Sequence, residues 1–138
     1  MKILGFNFTK LSAEKTSNNL EGIKVNTNID VSDIKEAKAD FLSGKEKILG
    51  IQFTNTILYE PNYAKIELKG NILVSLEENT FKEVLKSWKS KNMPDDFRLV
   101  IFNLILKKSS LKALQFEEEL NIPFHMPMPS LKFPEKKE

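Results

Sequence analysis

The sequence predicts an α+β fold, a four-stranded antiparallel sheet followed by one or two packed helices. Between residues 2 and 77, four stretches alternate apolar and polar side chains with a period of two, the mark of half-buried strands. From Phe81 the period changes to helical spacing, and the helix that begins near Phe97 is apolar on nearly every side. Beyond it, Pro123, Pro127, Pro129 and Pro134 rule out helix and leave an extended C-terminal segment.

The first strand falls within residues 2–15, where Leu4, Phe6 and Phe8 alternate with Gly5, Asn7 and Thr9. Its run from Ile3 to Thr9 is echoed by Ile48 to Thr54. A single echo of this length is too little for a repeat architecture and fits two strands in similar sheet positions. A polar turn over 16–22 leads to a second strand with Ile23, Val25, Ile29 and Val31 on one face. Residues 35–47 read as a loop or a helical turn, with a break at Ser43-Gly44. The clearest signal lies at 47–77. Leu49, Ile51, Phe53, Ile57 and Tyr59 mark one strand, and Ala64, Ile66, Leu68, Ile72, Val74 and Leu76 mark its partner. Glu60-Pro61-Asn62 is the expected turn between them. The opposite face of the fourth strand, with Tyr63, Lys65, Glu67, Lys69, Asn71 and Ser75, is expected to be wet.

Thr80-Phe81-Lys82-Glu83 has the form of a capping box, followed by Phe81, Val84, Leu85 and Trp88 on one helical face. Asn92-Met93-Pro94 should end this helix and Pro94-Asp95-Asp96 begin the next. In that second helix Phe97, Val100, Ile101, Leu104 and Ile105 form a stripe, while Leu99, Phe102 and Leu106 cover much of the other side. Burial on both sides implies another subunit against one of them, so the stripe is the expected oligomer interface; a helix central to its own domain is the alternative. Lys107-Lys108-Ser109-Ser110 either ends the helix or is a solvated patch on it, and Leu111, Leu114 and Phe116 suit a last helical stretch.

Composition narrows the function. The chain has 138 residues, expected to form one domain over 1–138 with a frayed charged tail at 134–138. A net charge of +2 and a single arginine, Arg98, argue against nucleic-acid recognition. The longest apolar run, 99–106, is too short to enter a membrane as a span. The lack of cysteine, and of an apolar signal-peptide core at the N-terminus, fits a cytoplasmic protein. No catalytic set is legible. His125 is the only histidine, which disfavours a metal site or a Ser-His triad, and a soft copper site at His125, Met126 and Met128 is the lesser reading beside space-filling methionines. Glu117-Glu118-Glu119 reads as a solvated helix face. The expectation is therefore no enzyme, no metal and no cofactor. What stands out is the apolar, proline-broken segment containing Ile122, Phe124, Met126, Met128, Leu131 and Phe133. It either covers the chain's own sheet or docks a partner.

In order of elements, the chain resembles the SecB family of protein-export chaperones over residues 2–133. The resemblance lies in the strand pair at 47–77, the helix beginning Met93-Pro94-Asp95-Asp96-Phe97, and the closing stretch from Ile122 to Phe133. It implies a SecB-like dimer of dimers, and an ATP-independent holdase that binds unfolded or nascent polypeptides through apolar grooves, with export as the family's setting. The residues that would line the client groove are Ile122, Phe124, Met126, Met128, Leu131 and Phe133. The family's second helix has no counterpart after Phe133. The acidic sheet surface that docks the export motor has none either, because Lys65 and Lys69 flank Glu67. A chaperone dedicated to one partner such as an antitoxin, and an adaptor homo-oligomer that uses its apolar faces only for self-assembly, fit the same pattern. A small-molecule binder or enzyme using the sheet's concave face would need converging polar groups that the sequence does not supply.

Overall fold

Four long strands and two helices follow one another in a computed structural model that describes residues 1–38 and 47–131. The strands are β1 (Lys2–Lys15), β2 (Lys24–Ala37), β3 (Lys47–Glu60) and β4 (Ala64–Leu76), and the helices are α1 (Glu78–Trp88) and α2 (Asp95–Leu120). The sheet is antiparallel in the order β1-β4-β3-β2, so β3 and β4 are central and β1 and β2 are its edges. The β3–β4 hairpin closes through a cis Glu60–Pro61 bond and a left-handed Asn62, with the Tyr63 amide donating to the Tyr59 carbonyl at 3.0 Å. Asn is one of the few side chains that tolerate that dihedral.

The echoed segment has a structural meaning. β1 and β3 flank β4 on its two sides, so Gly5 and Gly50 both pair with Leu73, Phe6 and Ile51 with Ile72, and Phe8 and Phe53 with Gly70. The middle of the echo, Gly5–Phe8 and Gly50–Phe53, thus meets the same four β4 residues, whereas its ends do not. Phe6, Phe8 and Phe53 crowd together over this point, with ring centroids 5.1–6.3 Å apart. A Cβ on Gly70 would stand 2.8 Å from the Phe53 ring and fall on the Asn7 carbonyl oxygen. The alternation in β1 is not continuous, however. Register shifts between Ile3 and Gly5 and between Phe8 and Lys10 make Leu4 and Thr9 bulge residues. Ile3 therefore takes the sheet position that parity would give Leu4, and Leu11 and Ala13 carry on the apolar face.

Some expectations need correction. β2 runs on to Ala37, so 35–37 are strand; residues 39–46, with Ser43-Gly44, lie outside the described part. Helix α1 starts at Glu78 with Glu77 as N-cap and no side-chain cap, which puts Thr80 inside the first turn and rules out the capping box. Only one residue separates β4 from the helix, so the first turn is closed by the Glu77 carbonyl and the Phe81 amide at 2.9 Å. On the face expected to be wet, Tyr63 is buried because it belongs to the turn and packs on Tyr59, with centroids 6.2 Å apart; Ser75 is buried as well. Lys65 and Lys69 are solvated as expected, while Glu67 is partly covered by its lysines, with Lys10 Nζ 2.6 Å from the carboxylate.

Helix α2 is continuous through Lys107–Ser110 and spans about 39 Å. Its buried residues are Phe97, Ile101, Ile105, Ser109, Ala113 and Glu117, each four positions after the last. Four residues turn an α-helix by about 400°, so the buried line drifts by about 40° per step. The helix crosses the sheet diagonally and touches all four strands. Its first half packs on one apolar cluster with Leu49, Ile51, Phe53, Ile72 and Val74, where α1 adds Phe81 and Val84. Its second half meets another with Ile57, Tyr59, Tyr63, Ile66 and Leu68. Where the clusters adjoin, β3 supplies Asn55 and α2 supplies Ser109, both buried with side-chain oxygens that have no hydrogen-bond partner.

Candidate functional site

The candidate site is built around the end of α2. The helix stops at a left-handed Asn121 (φ 54°), whose amide bonds the Glu118 carbonyl at 3.4 Å while the Ile122 amide bonds the Glu117 carbonyl at 2.9 Å. This is a Schellman ending, and its usual companion is an apolar residue right after the left-handed position that folds back on the helix. Ile122 is that residue. It is 4% exposed and packs into the cluster of Tyr59, Tyr63 and Ala113. Of the six side chains expected to line a client groove, Ile122 is thus part of the chain's own core.

The segment after it is pinned by a buried polar clasp. Glu117 is fully buried and accepts from three donors. The His125 backbone amide lies 2.5 Å from its carboxylate, the His125 ring Nδ1 lies 2.6 and 2.8 Å from the two oxygens, and the Tyr59 hydroxyl lies 3.0 Å away. The Tyr59 hydroxyl also reaches the Pro123 carbonyl oxygen at 2.6 Å. The His125 side chain is 6% exposed. A buried carboxylate is tolerable only when its lone pairs are met this completely. Burial first, and then the Glu117 charge, push the Tyr59 hydroxyl well above the ordinary tyrosine range, so it stays a proton donor. Of the three consecutive glutamates, Glu118 and Glu119 are solvated as expected; Glu117 is not.

The Nε2 atom of His125 lies 3.5 Å from Ser110 Oγ, which brings Ser110, His125 and Glu117 into one array. Ser110 sits in the interior of α2, where backbone amides are spent on the helix and none is free to stabilise an oxyanion. What the array does in the structure is tie the segment after α2 to the end of the helix, as a clasp. Among the described residues no group of three or more His, Cys, Asp or Glu side chains could hold a metal.

Pinned this way, the strap presents Phe124, Met126, Met128 and Leu131 to solvent; Leu131 is fully exposed and the other three are 41–47% exposed. Phe133 lies outside the described residues. The stripe on α2 is divided. Phe97, Ile101 and Ile105 are occupied by the chain's own sheet, Leu104 is half-buried, and Val100 points outward. The apolar surface that α2 leaves open consists of Leu99, Val100, Leu106 and Leu111. As expected, the strap, residues 122–131, is not helical; it bends at His125 and Met126. Nothing in the sequence signalled the clasp, because Tyr59 lies 58 residues before Glu117 and the burial of Glu117 depends on their meeting; the Asn-Ile pair after the helix was the one available cue.

Comparison with known structures places the fold. A SecB-like chaperone of Mycobacterium tuberculosis, Rv1957, solved in complex with a ChAD peptide from the Rv1956 HigA1 antitoxin, superposes with a TM-score of 0.50 over 97% of this chain and 92% of that one, at 12% identity. The chain has a SecB-like α+β fold. No protein-family model and no curated protein sequence matches it. No helix among the described residues is long and apolar enough to cross a membrane.

Proposed function

We propose that the protein is an ATP-independent chaperone that binds unfolded or nascent polypeptide segments through the strap and the apolar surface beside it, with no catalytic step. The observation that carries this reading is the strap itself. Phe124, Met126, Met128 and Leu131 are exposed on a segment that is tied down at Pro123 and His125 through the buried Tyr59 and Glu117. Methionine and phenylalanine on an extended, proline-broken segment suit partners of varied sequence, because thioether side chains repack at low cost. The fold supports the reading, since the similar M. tuberculosis chaperone is seen with a peptide from an antitoxin. A dedicated partner chaperone fits this arrangement as well as a general holdase. A link to export lacks support from the sheet surface, where Lys10, Lys65 and Lys69 surround Glu67.

Self-association belongs to the same proposal. The exposed Leu99, Val100, Leu106 and Leu111 make α2 the surface through which dimers or a dimer of dimers would form, in place of the stripe that the sheet already covers. An adaptor homo-oligomer is the competing reading, and that face is what favours it. The two part in one experiment. A chaperone at stoichiometric amounts, without nucleotide, suppresses aggregation of a chemically denatured client, and replacing Phe124, Met126, Met128 and Leu131 by serine abolishes suppression while the oligomer persists. An adaptor leaves aggregation unchanged.

A further inference from the structure

A cleft of about 430 Å3 opens where the α1–α2 connection meets the middle of β2, at the end of the molecule's first apolar cluster and away from the clasp. Trp88, Met93 and Phe102 supply its apolar wall, and β2 its rim from Ile29 to Ser32. Two cations stand over it. Lys91 Nζ lies 4.8 Å from the Trp88 ring centroid, and the Arg98 guanidinium carbon lies 5.2 Å from that of Phe102. Neither has a carboxylate within ion-pair distance among the described residues. Asp30 is the acid in the wall, and Asp95 and Asp96 lie nearby in sequence at the start of α2 without pairing to Arg98. The negative end of α1 is already occupied, because the Ser87 and Trp88 carbonyls accept the amides of Ser90, Lys91 and Asn92. The cleft thus offers two cations resting on aromatic faces against one acid.

The rim is equally unspent. β2 is a sheet edge with β3 as its neighbour on one side only. Ser32 is a bulge residue, and its hydroxyl turns back to the Gln52 carbonyl at 3.3 Å. The ladder before it, from Lys24 to Val31, is regular and leaves alternate backbone groups free for another strand.

We propose that this cleft docks an extended peptide segment carrying a carboxylate side chain two positions from an aromatic one. In an extended chain successive side chains point to opposite faces, so only residues two apart enter the cleft together. The aromatic ring packs against Trp88 and Phe102, the carboxylate reaches Arg98 and Lys91, and the segment's backbone adds to the outer edge of β2. Charge complementarity selects a peptide bearing an acid over one of purely apolar character. The inference concerns a surface other than the strap, and it stands if the strap reading fails.

The test is fluorescence anisotropy with a dye-labelled peptide Thr-Val-Phe-Thr-Glu-Val-Thr, its glutamine counterpart, and a version with Phe and Glu adjacent. The glutamate peptide is expected to bind about tenfold tighter than either control, the worth of one charge-assisted contact. Arg98→Gln should erase that advantage, Asp30→Asn should enlarge it, and added salt should reduce it. Arg98 and Asp30 are exposed, so both variants should keep the wild-type circular dichroism spectrum. Serine substitutions at Phe124 and Met126 should leave the peptide's affinity unchanged, which separates this site from the strap. Equal affinity for the three peptides, no measurable binding, or an advantage that survives Arg98→Gln overturns the proposal. So does competition by free N-acetylphenylalanine at the peptide's own concentration, which would mark a small-carboxylate site.

Discussion

Replacing Tyr59 by phenylalanine keeps the ring in its cluster and removes a single hydroxyl. That hydroxyl lies 3.0 Å from the Glu117 carboxylate and 2.6 Å from the Pro123 carbonyl, so its one hydrogen is shared between two acceptors. A hydrogen bond to a charged group is worth about 1.5–3 kcal/mol net, and a buried acceptor left without its donor costs a similar amount. Tyr59→Phe should therefore lower stability by about 2 kcal/mol, or about 6 °C in Tm for a chain of this size. The readout is urea denaturation at neutral pH, where the midpoint should fall at constant slope. The pH dependence follows from the raised Tyr59 hydroxyl. The unfolded chain loses this proton near pH ~10 while the folded chain holds it. The associated stability is fully present below that pH and is lost as pH rises beyond it. The gap between wild type and Tyr59→Phe should then narrow from about pH 9 to about pH 11, the range around the free tyrosine value. A variant as stable as wild type at neutral pH, or a gap that does not narrow, refutes the clasp.

Other substitutions probe the frame around it. Gly70→Ala should destabilise by about 1–3 kcal/mol through overpacking against Phe53, as a lowered urea midpoint. Phe53→Leu should rescue it only in part, because the Asn7 carbonyl remains in the way. Ser109→Ala removes a buried hydroxyl that has no partner and improves helix propensity, so it should raise stability by about 1 kcal/mol. Ile122→Ala should cost about 2–5 kcal/mol and make residues 122–131 a site of rapid proteolysis, because the strap loses its apolar anchor.

The parts of the fold that were legible are those in which sequence neighbours decide structure. Period-two alternation located all four strands, and Glu60-Pro61-Asn62 located the hairpin. The echo at 3–9 and 48–54 was legible as similar sheet positions, although only the strand order showed that β4 is what the runs share. Helix α2 was harder for a physical reason. Its buried line drifts around the helix as it crosses the sheet, so no fixed face separates apolar from polar, and the sheet-facing Phe97, Ile101 and Ile105 look no different from the exposed Leu99 and Leu106. Lys107 and Lys108 looked like a break because they lie on the outer side of a helix that continues beneath them. The capping box matched in composition and failed in position, since the length of β4 decides where α1 starts. Glu117 and His125 were out of reach: one is flanked by acids that are solvated, and their partner Tyr59 comes from the third strand. Burial of Glu117 depends on a tertiary meeting that no local pattern encodes.

On the proposed function, the strap after α2 is the surface that meets unfolded polypeptide. A photo-crosslinking amino acid placed at Met126 or Met128, and at Ser12 on the opposite face of the sheet as control, tests it directly with a denatured client present. Crosslinks are expected from 126 and 128, disappearing when the client is allowed to fold first, and none from 12. Crosslinking of equal strength from position 12, or none from the strap while the protein still suppresses aggregation, would contradict it.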